Sequence, residues 1–201
     1  MAAAALQAEA GFTPLFSGKD LAGWVLMHGH GPGYVVRDST IVCPADGGGN
    51  LFTEREYADF ILRLEYRHWE GANNGVGIRA PLEGDAAYVG MEIQILDDEA
   101  AEYQRLPIRP QQYTGAVYDV FAPKRGYVKR NGLWNDYEIV AQGRRIKVTL
   151  NGVVINDVDL DDVKDSGLLK KHPGLARRSG HIGFLGHGTR VEFRNIRIKP
   201  L

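Results

Sequence analysis

MEIQILDD, residues 91–98, alternates as a strand does. Met91, Ile93 and Ile95 fall on one face; Glu92 and Gln94 fall on the other, about 7 Å apart. Such a strand lays its apolar side on a core and turns a carboxylate and an amide toward water or a cleft. Asp97 and Asp98 stand where it should end. A Glu and a Gln side by side, with acids beyond them, suit a sugar better than a hydrophobic interior.

The same period recurs on both sides of this stretch. Phe60, Leu62, Leu64 and Tyr66 alternate with charged residues, and Val76 and Ile78 alternate with Gly75, Gly77 and Arg79. Asn151-Gly152 joins KVTL to VVIND, the strongest hairpin signal in the chain. Arg37-Asp38-Ser39 reads as a second hairpin turn, Gly47 to Asn50 as a flexible turn, and His28 to Gly33 as a loop. Thr114 to Val120 is a further strand candidate, and a helical turn is expected within Lys164 to Lys171. In all, roughly twelve to fourteen short strands follow one another with no long helical period. The predicted fold is all-β: a two-sheet antiparallel β-sandwich of the jelly-roll, concanavalin A-like kind. Residues 12–201 form one domain, and residues 1–11 are expected to be a disordered tail or the remnant of a removed signal, which would place the protein in the periplasm or outside the cell.

Composition removes several function classes. With 24 basic and 25 acidic residues, no bulk electrostatic term favours nucleic acid as a partner. No stretch approaches the about 18 apolar residues of a membrane span. The single cysteine, Cys43, forbids an intrachain disulfide. The sequence carries no nucleophile elbow, phosphate loop or dinucleotide fingerprint. His28-Gly-His30 is a weak metal signal.

Two consecutive strands concentrate the polar groups. If they pair, Arg79 lies across from Glu92 or Gln94 as an ion pair. Gly75 and Gly77 beside it leave room for a ligand to approach the backbone. His187, in LGHGTR, sits in a glycine-flanked turn between the last two strands. Trp69 and Trp134 are candidate sugar platforms.

FTPLFSGKDLAGW, NNGVGIR, MEIQILDD, TGAVY, GLWNDYEIVAQGRRIKVTLNG and GHIGFLGHGTRVEFRNIRIKPL, in this order over residues 12–201, resemble the 3-keto-disaccharide hydrolase domain family. The resemblance implies a concanavalin/laminarinase-like jelly roll and activity on glycosides whose C3 is oxidised to a ketone. It also implies a site on the concave sheet face, at Arg79, Glu92, Gln94, Asp97, Tyr118 and His187. A ketone at C3 makes the C2 proton acidic and sets the C1–O bond β to the carbonyl, so elimination followed by addition of water gives net hydrolysis. That chemistry needs a base, an acid and an oxyanion stabiliser. Glu92 and His187 are the expected base and acid, in either order. Arg79, or a bound divalent metal ion, is the expected stabiliser. Gln94, Asp97, Tyr118 and Trp134 are expected to hold the carbohydrate. Direct hydrolysis by two carboxylates is an alternative mechanism. A carbohydrate-binding jelly-roll module without catalysis is the alternative function.

Overall fold

The computed structural model describes residues 9–105 and 108–201. Residues 1–8, most of the expected tail or signal remnant, lie outside them. Glu9 pairs with Arg63 and Arg197, and residues 10–11 form a turn before the first strand.

The strands are β1 (Thr13–Pro14), β2 (Trp24–His30), β3 (Val35–Arg37), β4 (Thr40–Cys43), β5 (Gly48–Tyr57), β6 (Phe60–His68), β7 (Asn73–Ala80), β8 (Met91–Leu96), β9 (Asn135–Gln142), β10 (Arg145–Leu150), β11 (Val153–Asp159), β12 (Gly180–Gly186) and β13 (Val191–Pro200). Three short helices, α1 (Ala86–Val89), α2 (Ala101–Arg105) and α3 (Ser166–Lys171), lie between them. One sheet runs β11-β10-β9-β6-β13-β4-β3, with β1 also on β13; the other runs β2-β5-β12-β7-β8. Every strand pairing in both is antiparallel, as the alternation predicted.

The core fills the space between the sheets. Met91, Ile93 and Ile95 of β8 meet Leu62, Leu64, Ile139 and Val148 of the larger sheet. Two turns follow the residues that specify them. Asp38 and Ser39 both take left-handed conformations between β3 and β4, and so do Asn151 and Gly152 between β10 and β11.

Other local expectations give way. Gly48 and Gly49 belong to β5 rather than to a turn, and β2 continues through His28 to His30. Thr114 to Val120 is no regular strand. Gln94 N–H donates to Ala116 O, Gly115 N–H to Gln94 O and Tyr118 N–H to Glu92 O. The segment therefore borders β8 through scattered hydrogen bonds and covers the edge of the smaller sheet.

Candidate active site

The face of β8 turned away from the core does not lie open to water. After β7 the chain loops back through residues 81–85 and enters α1. Asp85 caps that helix, its carboxylate accepting the Ala87 N–H at 3.1 Å. Ala86 packs with Phe52 and Leu185 on the outer face of the smaller sheet. On the other flank, the Tyr118 bond to β8 brings the Tyr118 ring in. Between them lies a cavity of about 170 Å³ lined by Asn50, Asn73, Asp85, Tyr88, Glu92, Gln94, Tyr118 and His187, with Ala86, Ala87 and Leu185.

Glu92 is 3% exposed, and its Oε1 has no hydrogen-bond partner among the described residues. Burial, and secondarily the nearby Asp85 carboxylate, pushes its pKa up to about 8. Its side chain leans over Gly75, where any Cβ would overlap the Glu92 carboxyl. The glycine at this position thus makes room for the acid itself. Gln94 is oriented by its own strand: the Ile95 N–H donates to Gln94 Oε1 at 3.0 Å, which fixes the amide and leaves its NH₂ for the cavity. Tyr118 Oη accepts from Gln112 Nε2 at 3.2 Å, so its O–H is free to donate. His187 follows β12. Burial holds its pKa below the ordinary value, against a weaker pull upward from Asp85.

Three of the expected site residues lie elsewhere. Gly77 and Gly75, not Arg79, stand across from Glu92 and Gln94. Gly183 and His181 of β12 pair with Gly77 and Ala80, so β7 carries one extra residue there. Arg79 takes the left-handed conformation in that bulge, with φ of 48°. This turns its side chain away from the cavity into full burial, where it donates to the carbonyls of Ala58 and Gly143 and pairs with Asp59 at 2.9 Å. Asp97, just beyond β8, accepts from Gly71 N–H at 3.1 Å and Asn131 Nδ2 at 3.2 Å and lines a separate cavity with His68. Trp134 precedes β9 in the larger sheet. Its ring lies 4.6 Å from the Arg67 guanidinium and 4.0 Å from that of Arg194, which is packing on the opposite sheet. Trp69 lies near Arg67 and Arg190 in the same manner.

Sequence reasoning missed Asn50, Asn73, Asp85 and Tyr88. Asn73 continues the Gly75–Gly77 alternation back to the start of β7, and Asp85 before Ala-Ala is a helix-cap signal; both were readable. Asn50 was hidden by the glycines before it. Among the described residues, no three His, Cys, Asp or Glu side chains gather into a ligand set for a metal ion.

Residues 11–199 match the 3-keto-alpha-glucoside-1,2-lyase-like domain. The 3-keto-disaccharide hydrolase of Bacteroides thetaiotaomicron is 24% identical, the match covering 95% of this chain and 79% of that protein. The crystal structure of a candidate glycosyl hydrolase from Parabacteroides distasonis superposes with a TM-score of 0.79 at 27% identity, over 94% of this chain and 99% of that one. A carbohydrate binding module from Bacillus subtilis shares the fold, with a TM-score of 0.60 at 14% identity over 88% of this chain and 95% of the module.

Proposed function

Because the chain belongs to the 3-keto-alpha-glucoside-1,2-lyase-like domain family, we propose that it cleaves glycosides bearing a ketone at C3 of the sugar, by elimination and then addition of water. One observation carries this reading: a buried, unpartnered carboxyl and an imidazole share one cavity, and their surroundings favour opposite proton states. Near neutral pH Glu92 keeps its proton, since its pKa is about 8, while His187 is held neutral. Burial therefore supports an assignment that the residue types leave open: His187 is the base and Glu92 the acid.

His187 takes the C2 proton, and the electron pair of that C–H bond passes into the enolate at C3–O. Gln94 NH₂ and Tyr118 O–H are the donors available to that oxygen, in the role first expected of Arg79. The enolate collapses, the C1–O bond breaks, and Glu92 gives its proton to the departing oxygen. Water then adds across C1=C2. Its hydroxyl goes to C1 as Glu92 takes its proton, and His187 returns a proton to C2. Both residues end as they began, and the sum is hydrolysis.

The test is aglycone release from a 3-keto-glucoside in D₂O. Elimination predicts deuterium at C2 of the released sugar, introduced as water adds after cleavage, and loss of release in Glu92→Gln and His187→Ala. Cleavage with the C2 proton fully retained would sink this route and point to direct displacement at C1. Sugar binding with no release would make the chain a binding module.

A further inference from the structure

The elimination route leaves a charged cluster beside the cavity without a task. Tyr88 and Tyr118, both lining the cavity, meet edge to face with centroids 6.4 Å apart. Asp119 follows Tyr118 in a left-handed conformation, with φ of 63°, and is only 5% exposed. Its carboxylate pairs with Arg109 and Lys171 and lies 3.3 Å from His172 Nε2. The His172 ring packs 4.8 Å from the Tyr88 ring, and the Lys171 ammonium lies 5.5 Å from it.

One carboxylate thus serves two permanent cations. A clasp holding α3 to the Tyr118 segment needs one cation, and the second leaves a surplus positive charge. Both side chains are half-exposed, Arg109 at 58% and Lys171 at 49%, so their remaining N–H donors face solvent, and Lys171 does so beside Tyr88 at the rim of the cavity. Asp85, an acid of the cavity wall, is engaged at the start of α1. A rim of this kind matches a negative charge on whatever extends out of the cavity past Tyr88.

We propose that Arg109 and Lys171 form a subsite for an anionic group on the leaving portion of the substrate. This rests on the cleavage reading above for which end of the ligand leaves. The ring of Tyr88 would line the path and the two cations would meet the charge. Exposed pairs of this sort change affinity by about threefold to tenfold for two cations together.

The probes are 4-carboxyphenyl and 4-carbamoylphenyl glucosides, nearly isosteric and different by one charge, measured by calorimetry on the full chain at low salt. The carboxylate is expected to bind the more tightly, with the ratio falling toward one in Lys171→Gln, in Arg109→Gln, and in about 1 M salt. Two separate variants guard against one that loosens the Asp119 clasp. Equal affinities at low salt, or no binding of the charged ligand, overturn the subsite. The 3-keto forms of both probes then separate the two ideas. Preference without aglycone release keeps the subsite and rejects cleavage; release without preference does the reverse.

Discussion

Replacing Glu92 by Gln tests the site without any substrate. The carboxyl is buried, and its pKa stands at about 8 in the fold against 4.5 for a free glutamate. Below about pH 4.5 both folded and unfolded chains hold the proton, and this residue adds no pH dependence. Between 4.5 and 8 the unfolded chain ionises while the folded one stays protonated, so stability falls as pH rises. At about 1.36 kcal/mol per pH unit, the rise from 4.5 to about 8 corresponds to a loss of about 5 kcal/mol by pH 9. Glutamine has no proton to lose. The difference in unfolding free energy between Glu92→Gln and wild type should therefore climb with pH by up to about 5 kcal/mol and level off above pH 8. Urea unfolding of both proteins at a series of pH values from 4.5 to 9 measures it, and the subtraction removes contributions of other titrating groups. A difference curve flat across this range would mean that the carboxyl ionises freely in the fold, and the assignment of Glu92 as acid would fail with it.

In kinetics, kcat/KM for a 3-keto-glucoside should be bell-shaped. The acid limb falls below pH 6.5 as His187 gains a proton, and the alkaline limb lies near 8 as Glu92 loses one. A profile flat from pH 5 to 9 would contradict the assignment. Gly75→Ala should displace the Glu92 carboxyl, lowering turnover at least tenfold and stability by about 1–3 kcal/mol, read by steady-state assay and urea melts. Arg79→Met removes a buried cation held by three carbonyls and Asp59. It should cost about 3 kcal/mol in denaturant unfolding with KM little changed. Trp134→Ala lies on the opposite sheet and should leave sugar binding as in wild type; calorimetry would show otherwise if the ring were a platform.

The alternation in MEIQILDD carried real information, because each side chain of a strand is committed to one face. Core and non-core positions of β8, and the two hairpins with left-handed residues, follow from local rules. What local rules omit is the third dimension. The bulge at Arg79 adds one residue to β7, and its reason lies in pairing with β12, about a hundred residues away. Asp97 is adjacent in sequence to a cavity strand but past its end, where the chain has already turned toward Gly71 and Asn131. Trp134 reads like a sugar platform until its strand is assigned to a sheet. Tyr88 and Asp85 reach the cavity only because α1 folds back over it.

That roof also explains why a polar strand face holds a carboxyl that keeps its proton near neutral pH. On an open sheet, water would solvate Glu92, and its pKa would remain near that of any glutamate. Here α1 and the segment carrying Tyr118 exclude most of the water, and Gly75 lets the carboxyl settle inward where nothing pairs with it. A packed protein ordinarily satisfies such a group, because an unpaired buried oxygen costs about 1–3 kcal/mol. Its persistence in a cavity that also holds an imidazole is what the proposed proton transfer would require, at a cost in stability. Arg79 shows the alternative outcome on the neighbouring strand. It is as deeply buried as Glu92 but satisfied by three carbonyls and a carboxylate, and those partners fix it in the scaffold, out of reach of any ligand in the cavity.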